Sequence, residues 1–274
     1  MSDDVLARVD RWEPETIAVG VSDATATVAA HGPTDQVLTF ASLTKPLAAY
    51  ATLIAAQDGL LHLDEPAGQV DDHTFTVRHL LAHASGLPPE PDGPTTEPEH
   101  RRVYSNHGYD LLGDLVAERS GLSFADHLDI EVLQPLGMRD THLSGSPAHA
   151  AEGTVEDLLR FARELLSPEL LDEDLHRTAT SVAFPGLDGV LPGYGRQSPN
   201  DWGLGFEIKA DKRPHWTGDK VDPSTFGHFG RSGSYLWVDP TLGLASVGLA
   251  DRDFDRWAIE GWPGLCDAIV ETYG

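Results

Sequence analysis

Hydrophobic residues form short runs at both ends of the chain. Near the N-terminus, residues 17–21 and 25–30 are rich in β-branched side chains and flank a polar turn, which predicts a hairpin. Residues 37–40 are predicted to be extended. After about residue 200 the apolar runs are again short and are bounded by Gly, Pro or Asp, as is typical of antiparallel strands. We predict these later strands at 202–208, 226–230, 234–239 and 243–250.

Helical spacing dominates the middle of the chain. Between residues 43 and 57 apolar side chains lie on almost every face, and Gly59 follows as a C-terminal cap, so this helix is predicted to be buried on most sides. Ser123 and Thr154 are predicted N-caps. The other helices are predicted at 77–82, 107–119, 124–134, 154–166 and 255–272.

The order of these elements predicts a single α+β unit over residues 1–274. Strands from both termini would form one antiparallel sheet flanked by helices, with a mainly helical domain inserted between them. The sheet part is expected to comprise about 1–41 and 178–274, and the helical part about 42–177. A cleft between the two parts is the natural place for a site.

The composition fits a globular protein and argues against two kinds of partner. The chain has 274 residues, of which 40% are hydrophobic, and its formal net charge is −25. So acidic a protein repels phosphate backbones and anionic lipid surfaces, and we therefore expect neither nucleic acid nor a membrane as a partner. Residues 1–15 lack the apolar core of a signal peptide and Cys266 is the only cysteine, which together favour the cytoplasm. The sequence does not indicate an oligomeric state.

Three further patterns are given structural interpretations. His79 and His83 are spaced like paired metal ligands on a helix, but no third ligand is evident, so we predict no metal site. The Ser85-Gly86 pair is predicted to be a tight turn rather than a second nucleophile. The Pro- and acid-rich segment 88–99 is predicted to be a mobile surface loop.

A serine and a lysine lie three residues apart in the stretch FASLTKPL. Positions i and i+3 share one face of a helix, so Ser42 and Lys45 can approach within hydrogen-bonding distance. Pro46 fits the beginning of a helix and not its interior, and therefore places the N-terminus of the helix near Ser42. A serine hydroxyl becomes a nucleophile when a base takes its proton, and a lysine in an apolar environment can be neutral enough to help.

Two later stretches carry compatible side chains. In VYSNHGYDLLG, Tyr104 and Asn106 are two residues apart before a predicted helix, and an extended backbone would point both side chains the same way. In FGHFGRSGSYLWVDP, His228 and Gly230 lie on a predicted strand, where the small residues would let a substrate lie against the backbone.

The order Ser-x-x-Lys, Tyr-x-Asn, His-x-Gly resembles that of the serine β-lactamase and penicillin-binding-protein superfamily. The chain is similar, within it, to the branch that contains class C β-lactamases, carboxylesterases of β-lactamase fold and D-aminopeptidases. The likeness extends in collinear order over roughly residues 38–250. It is also carried by LTKPLAAYATLIAAQDGLLHLDEP, TVRHLLAHASGLP, LQPLGMRDTHL, WGLGFEI and SGSYLWVDPTLGLASVGL. The resemblance implies a β-lactamase/transpeptidase-like fold.

The resemblance also implies roles for individual residues. Ser42 would be the acylated nucleophile, and Lys45 and Tyr104 would share the proton transfers, with Tyr104 as general base. Asn106 would hydrogen-bond to Lys45 and to the substrate. The backbone N–H groups of Ser42 and Arg231 would form the oxyanion hole. Neither a metal nor another cofactor would be needed.

The third element departs from the pattern of β-lactamases and transpeptidases, which usually carry Lys-Thr-Gly or Lys-Ser-Gly there. In this chain Phe229 lacks the hydroxyl and His228 is largely neutral at pH 7, which weakens recognition of a substrate carboxylate. A histidine at this position resembles the esterase and D-aminopeptidase members, where His228 and Gly230 would lie beside the substrate. We therefore predict a serine hydrolase acting on small-molecule esters or amides, most simply a carboxylesterase. The alternatives are a β-lactamase or D-amino-acid peptidase, and a non-catalytic relative that binds a ligand.

Two interpretations stay open. Arg231 is either a clamp for a substrate carboxylate or a solvated loop charge. Four aromatic residues either line an acyl pocket or belong to the core. They are Tyr194, Trp202, Trp216 and Trp237.

Overall fold

The computed structural model describes residues 5–274, and within them it contains thirteen strands and eight α-helices. The strands are β1 (Ile17–Ser22), β2 (Thr27–His31), β3 (Leu38–Thr39), β4 (Pro66–Val70), β5 (His73–Thr76), β6 (His142–Leu143), β7 (Ala151–Gly153), β8 (Gly189–Leu191), β9 (Gly195–Gln197), β10 (Glu207–Ile208), β11 (Phe226–Gly230), β12 (Ser234–Asp239) and β13 (Leu244–Ala250). The α-helices are α1 (Thr44–Gln57), α2 (Val77–Leu81), α3 (Asn106–Ser120), α4 (Phe124–Leu128), α5 (Gln134–Leu136), α6 (Val155–Leu166), α7 (Glu173–Ala179) and α8 (Arg256–Tyr273). Short 3₁₀ segments lie at Val5–Arg11 and Ala41–Leu43, and a π-helical segment lies at Asp129–Leu133.

Strands from both ends of the chain form one antiparallel sheet, as the sequence predicts. Its six strands follow the order β10-β11-β12-β13-β1-β2. Val19 of β1 lies opposite His31 of β2 on one side and Gly248 of β13 on the other. The predicted N-terminal hairpin and the later strands at 226–230 and 234–239 are therefore confirmed, and the fold belongs to the α+β class.

Helix α1 lies at the centre of the molecule. Every residue from Thr44 to Ala55 is buried, and Gly59 follows the helix with a φ of +75°, a conformation that glycine adopts without strain. The helix begins directly after the 3₁₀ turn Ala41–Leu43, with Pro46 in its first turn. This burial confirms the prediction from the apolar pattern of residues 43–57.

The predicted helix at 124–134 is continuous from residue 124 to residue 136, but α4 and α5 are joined by the π-helical segment. The side chain of Ser123 accepts a hydrogen bond from the N–H of Asp126, and that of Thr154 accepts one from the N–H of Asp157. Both N-caps are confirmed.

Two apolar clusters lie on opposite faces of the main sheet. The larger one surrounds α1 and includes side chains of α3, α4 and α6. The smaller one packs α8 and the segment Val5–Arg11 against the sheet, and it contains Tyr194, Trp216 and Trp237. These three aromatic residues are therefore core residues.

The stretch 202–208 is not the continuous strand that the sequence predicts. Only Glu207–Ile208 form β10, because the chain turns at Gly205, whose φ is +101°. A Cβ at residue 205 would lie 2.1 Å from the Cβ of Ala49, so this turn brings the backbone directly against α1. The sequence reading also missed α7 and the hairpins β4–β5 and β8–β9. Among residues 5–274, no helix has the length and hydrophobicity needed to cross a membrane.

Candidate active site

Ser42 lies in the 3₁₀ turn that leads into α1. Ala41 before it has a φ of +47°, which is uncommon and unfavourable for a residue with a side chain. The turn is fixed by Thr44, whose hydroxyl donates to the carbonyl of Ala41 at 2.7 Å and accepts from the N–H of Ala151 at 3.0 Å. The position of Ser42 is thus set by a strained backbone that its neighbours hold in place.

Lys45 is fully buried one turn further along α1. Its Nζ donates to Oδ1 of Asn106 at 2.7 Å and to the carbonyl of Ala148 at 2.9 Å. The same atom lies 4.5 Å from the centroid of the Tyr104 ring. Burial lowers the pKa of Lys45 to about 7, against the opposing effect of nearby carboxylates, so a large fraction of this amine is neutral at physiological pH.

Tyr104 and Asn106 meet Lys45 from the N-terminus of α3. Ser105 between them has extended backbone angles and caps the helix, so the flanking side chains point the same way. The phenol of Tyr104 shares a hydrogen bond with the hydroxyl of Ser42, and burial raises the pKa of Tyr104 above its ordinary value. The structure therefore brings Ser42, Lys45, Tyr104 and Asn106 together.

His228 and Gly230 reach the same place from β11. Nδ1 of His228 donates to the carbonyl of Phe229 at 2.7 Å, which leaves Nε2 to accept from the phenol of Tyr104 at 3.4 Å. Burial and the neighbouring Lys45 lower the pKa of His228 to about 3, so this imidazole is neutral. A Cβ at residue 230 would lie 3.2 Å from the backbone N of Ser42 and 2.3 Å from the carbonyl oxygen of Phe40, so only glycine lets the strand approach this closely.

Arg231 follows Gly230 at the rim of the site, with its side chain 85% exposed. Its Nε donates to Oδ2 of Asp253 at 3.3 Å. The positive charge at the rim is thus partly neutralised by a carboxylate of the same chain.

A cavity of about 270 Å³ opens beside Ser42. Its wall is mainly apolar and includes Leu191, Trp202, Phe229 and Phe254. Of the four aromatic residues with an open interpretation, Trp202 is the one that lines this cavity. Arg102 also reaches the wall, but its guanidinium donates to four backbone carbonyls, which are those of Ala82, Ala183, Phe184 and Asn200.

Glu207 supports the same wall from inside the protein. Its buried carboxylate accepts from Nζ of Lys212 at 2.8 Å, from Nε2 of His215 at 3.0 Å and from Nε1 of Trp216 at 2.6 Å. Burial alone would raise the pKa of Glu207, but the charge of Lys212 and the hydrogen bonds bring it well below its usual range. This cluster fixes the strand that precedes β11 in the sheet.

The two histidines with metal-ligand spacing have separate structural contacts. Nδ1 of His79 accepts from the N–H of Thr76 at the start of α2. Nδ1 of His83 accepts from the N–H of Ser105 at 3.1 Å, and its ring lies 4.5 Å from that of Tyr104. Within residues 5–274, no group of three or more His, Cys, Asp or Glu side chains is arranged to hold a metal ion. His83 therefore supports the backbone and ring of the Tyr-x-Asn element.

The segment 88–99 contributes to the site at its beginning. The carbonyl of Pro89 accepts from the N–H groups of Asn106 and His107, and Oε1 of Glu90 accepts from Nδ2 of Asn106 at 2.8 Å. The Pro- and acid-rich composition gave no signal for this contact. At Ser85-Gly86 the backbone turns as predicted, with a φ of +80° at Gly86.

The comparisons with known proteins agree with this arrangement. The β-lactamase family model matches residues 7–261. The chain belongs to the β-lactamase family. The structure is similar to that of a β-lactamase, Mb2281c, from Mycobacterium bovis, with a TM-score of 0.95 and 47% sequence identity over 98% of this chain and 99% of that one. The predicted β-lactamase-like fold is therefore confirmed.

Curated relatives include a penicillin-binding protein and a β-lactamase. The chain is 27% identical to penicillin-binding protein 4* of Bacillus subtilis over 57% of this chain and 41% of that protein. It is 23% identical to a β-lactamase of Pseudomonas fluorescens over 78% of both. The match to the first of these spans about two fifths of the relative's length. EstCE1, described as a hydrolase with promiscuous acyltransferase activity, shares the fold at a TM-score of 0.81 and 15% identity, with 97% of this chain and 96% of that one covered.

Proposed function

We propose that the protein is a serine hydrolase that cleaves carboxylic esters through an acyl-enzyme on Ser42. The observation that carries this proposal is the mainly apolar cavity beside Ser42, in which the third element supplies a neutral His228 and the rim cation Arg231 is paired with Asp253. A neutral ester with an apolar acyl group fits such a wall better than an anionic substrate does.

In the proposed acylation step, Ser42 attacks the ester carbonyl as its proton leaves through the hydrogen bond to Tyr104. We assign the base to Lys45, because burial favours the neutral amine of Lys45 and the protonated phenol of Tyr104. Tyr104 accepts this proton on its phenol oxygen and passes its own O–H proton, which His228 accepts in the resting site, to the lone pair of Lys45. This assignment differs from the tyrosine base that the family resemblance implies.

The negative charge of the tetrahedral intermediate would be stabilised by the backbone N–H groups of Ser42 and Arg231. Gly230 supports this role, since its lack of a side chain allows the end of β11 to approach the N of Ser42. A donor of this kind contributes roughly 10²- to 10³-fold in rate. Collapse of the intermediate releases the alcohol, which takes the proton, and water then hydrolyses the acyl-enzyme by the same route.

A second candidate is hydrolysis of β-lactams. It is favoured by the 47% identity to the Mycobacterium bovis protein described as a β-lactamase. The small-molecule substrate, the lack of a nucleic acid or membrane partner and a cytoplasmic location stay predictions from the sequence.

The test compares wild type with Ser42→Ala and with a matched serine variant, Ser85→Ala. Initial rates would be measured with p-nitrophenyl acetate, p-nitrophenyl butyrate, nitrocefin and D-alanine p-nitroanilide. We expect the butyrate ester to be the best substrate, Ser42→Ala to be inactive, and Ser85→Ala to retain activity if it remains folded by circular dichroism.

Faster turnover of nitrocefin or of the anilide would replace the esterase by a β-lactamase or a D-amino-acid peptidase. Equal rates for wild type and Ser42→Ala would remove the nucleophile assignment. Mass spectrometry after reaction with a fluorophosphonate gives an independent readout, because a reactive Ser42 would gain one covalent adduct that Ser42→Ala lacks.

A further inference from the structure

Asp110 lies one turn after Asn106 on α3 and is linked to Lys45 through a second element. Oγ of Ser146 donates to Oδ1 of Asp110 and accepts from the N–H of Ala148 at 3.1 Å. The carbonyl of Ala148 accepts from Nζ of Lys45 at 2.9 Å. The backbone of Ala148, hydrogen-bonded on one side to Ser146 and on the other to Lys45, thus links the Asp110 carboxylate to the Lys45 amine.

The loop that carries Ser146 and Ala148 joins β6 to β7 and packs directly on α3. A Cβ at residue 113 would lie 2.7 Å from Cγ of Pro147, so the loop lies against the helix backbone where Gly113 leaves room. Asp110 is one turn before Gly113 on α3. Asp110 contacts Ser146 and Gly113 contacts Pro147, which are neighbouring residues of the loop. The carbonyl of Ala148 is therefore fixed relative to the same helix that carries Asn106.

We propose that Asp110 is a positioning residue that holds the 146–148 loop against α3 and so fixes the second hydrogen-bond acceptor of Lys45. Its importance for catalysis rests on the proposed function, in which Lys45 is the base. An amine with two fixed acceptors has one orientation toward Ser42 and Tyr104, whereas loss of one acceptor would let the lysine side chain move.

The surroundings of Lys45 give Asp110 a second effect. The rings of Tyr104 and Tyr109, the neutral imidazoles of His83 and His228, and the carboxylate of Glu90 also face this amine. Burial lowers the pKa of Lys45. The negative charges of Asp110 and Glu90 oppose this effect, and that of Asp110 has the larger influence. Removal of its charge should therefore lower the Lys45 pKa further.

The first experiment measures kcat and KM for p-nitrophenyl butyrate on the alkaline plateau. The variants are Asp110→Asn and Ser146→Ala, and the matched controls are Asp114→Asn, exposed one turn further along α3, and Ser144→Ala, exposed in the same loop. We expect kcat to fall by about tenfold in Ser146→Ala, which removes the link to the loop, and by less in Asp110→Asn, whose amide oxygen still accepts from Ser146, with KM within about twofold of wild type in both. The controls should keep the wild-type kcat.

The second experiment observes Lys45 directly and does not depend on turnover. The chain has only four lysines, so labelling with lysine that carries ¹³C at Cε gives few NMR signals, and Lys45→Met assigns one of them. We expect the Lys45 titration midpoint to fall by about one pH unit in Asp110→Asn. It should fall by less in Ser146→Ala and stay unchanged in Asp114→Asn.

These results distinguish the proposed role of Asp110 from the proposed ester hydrolysis. An unaltered kcat together with an unaltered Lys45 titration in both variants would overturn the role of Asp110. If wild type hydrolyses no ester, the proposed function fails, but the NMR titration still decides whether Asp110 acts on Lys45. If Asp110→Asn does not fold by circular dichroism, Ser146→Ala carries the test, because it keeps the carboxylate and removes only the link.

Discussion

Nδ2 of Asn106 donates a 2.8 Å hydrogen bond to Oε1 of Glu90, while Oδ1 of the same amide accepts from Lys45 at 2.7 Å. One amide therefore connects the buried amine of Lys45 to an exposed carboxylate on the segment 88–99. This arrangement gives the site an acidic neighbour that the family resemblance does not imply.

Ester hydrolysis by wild type is expected to increase with pH through an inflection near pH 7. Burial lowers the pKa of Lys45 to about 7; below it the protonated amine cannot accept a proton, and above it the neutral amine can. The measurement is kcat/KM for p-nitrophenyl butyrate from about pH 5 to about pH 9 at constant ionic strength. A flat profile over this range would exclude Lys45 as the base.

Glu90→Gln should shift this inflection to lower pH. The variant keeps an oxygen that accepts from Asn106 but removes a negative charge that favours protonated Lys45. Because Glu90 is exposed, solvent and salt screen its charge, and we expect a shift of roughly half a unit at low ionic strength. Asp92→Asn, an exposed charge change on the same segment, is the control and should leave the inflection in place.

The apolar cavity predicts a preference for longer acyl chains. The butyryl group has two more methylene groups than the acetyl group, and burial of each contributes about 0.8 kcal/mol, so kcat/KM for the butyrate ester should exceed that for acetate by roughly 10- to 15-fold. Val190, which lines the cavity and is 58% exposed, offers a variant at the rim that is tolerated by the fold. Val190→Asp should lower kcat/KM for p-nitrophenyl hexanoate by about fivefold and that for acetate by less than about twofold.

The control for the rim variant is Val182→Asp, since Val182 is 40% exposed and does not line the cavity. Equal losses for all chain lengths in Val190→Asp, or the same losses in Val182→Asp, would argue against an acyl pocket at this wall.

Asp253→Asn should improve activity toward an anionic substrate. The substitution removes the carboxylate that pairs with Arg231 and frees a cation at the rim. We expect kcat/KM for nitrocefin to rise by about threefold at low salt, with the gain lost at high salt because the group is exposed. The double variant Asp253→Asn with Arg231→Gln should return to the wild-type value, and a gain that persists there would assign the effect to another residue.

Glu207→Gln is expected to destabilise the fold by about 3–5 kcal/mol, because it leaves Lys212 buried without its carboxylate partner. The pKa of Glu207 is lower in the folded state than in the unfolded chain. Its contribution is therefore present above the unfolded pKa of about 4.3 and is lost as the pH falls toward the folded pKa. Urea unfolding at pH 7 and near pH 3 should show the difference between wild type and variant shrinking in acid, whereas the exposed Glu118→Gln should show none.

The three motifs can be predicted from sequence because each consists of two residues at a short, fixed spacing. A single backbone conformation then places both residues on the same side of the chain. Ser42 and Lys45 depend on one helical turn, and Tyr104 and Asn106 depend on one extended residue. The partners Glu90 and Ala148 come from loops, where the hydrophobic pattern does not specify the path of the backbone. Asp110 had a usable signal, since it lies at i+4 from Asn106 on the same helix.

The turn at Gly205 shows how tertiary contact overrides a local pattern. The apolar run of 202–208 satisfies the rule for a strand, but close packing against Ala49 of α1 requires a backbone conformation that only glycine adopts easily. The glycine and the buried helix at 43–57 can both be predicted from the sequence, but the contact between them cannot.

The pairing of Val19 with Gly248 has a consequence for biosynthesis. A ribosome releases β1 early, and its partner β13 emerges only after all the intervening helices and loops, so the hairpin β1–β2 remains without its neighbouring strand during most of translation. The segment that contains Ser42 is likewise synthesised long before the strand that contains His228 and Gly230. A message truncated anywhere ahead of β13 would therefore yield an aggregation-prone fragment with an open sheet edge, and not a shortened hydrolase.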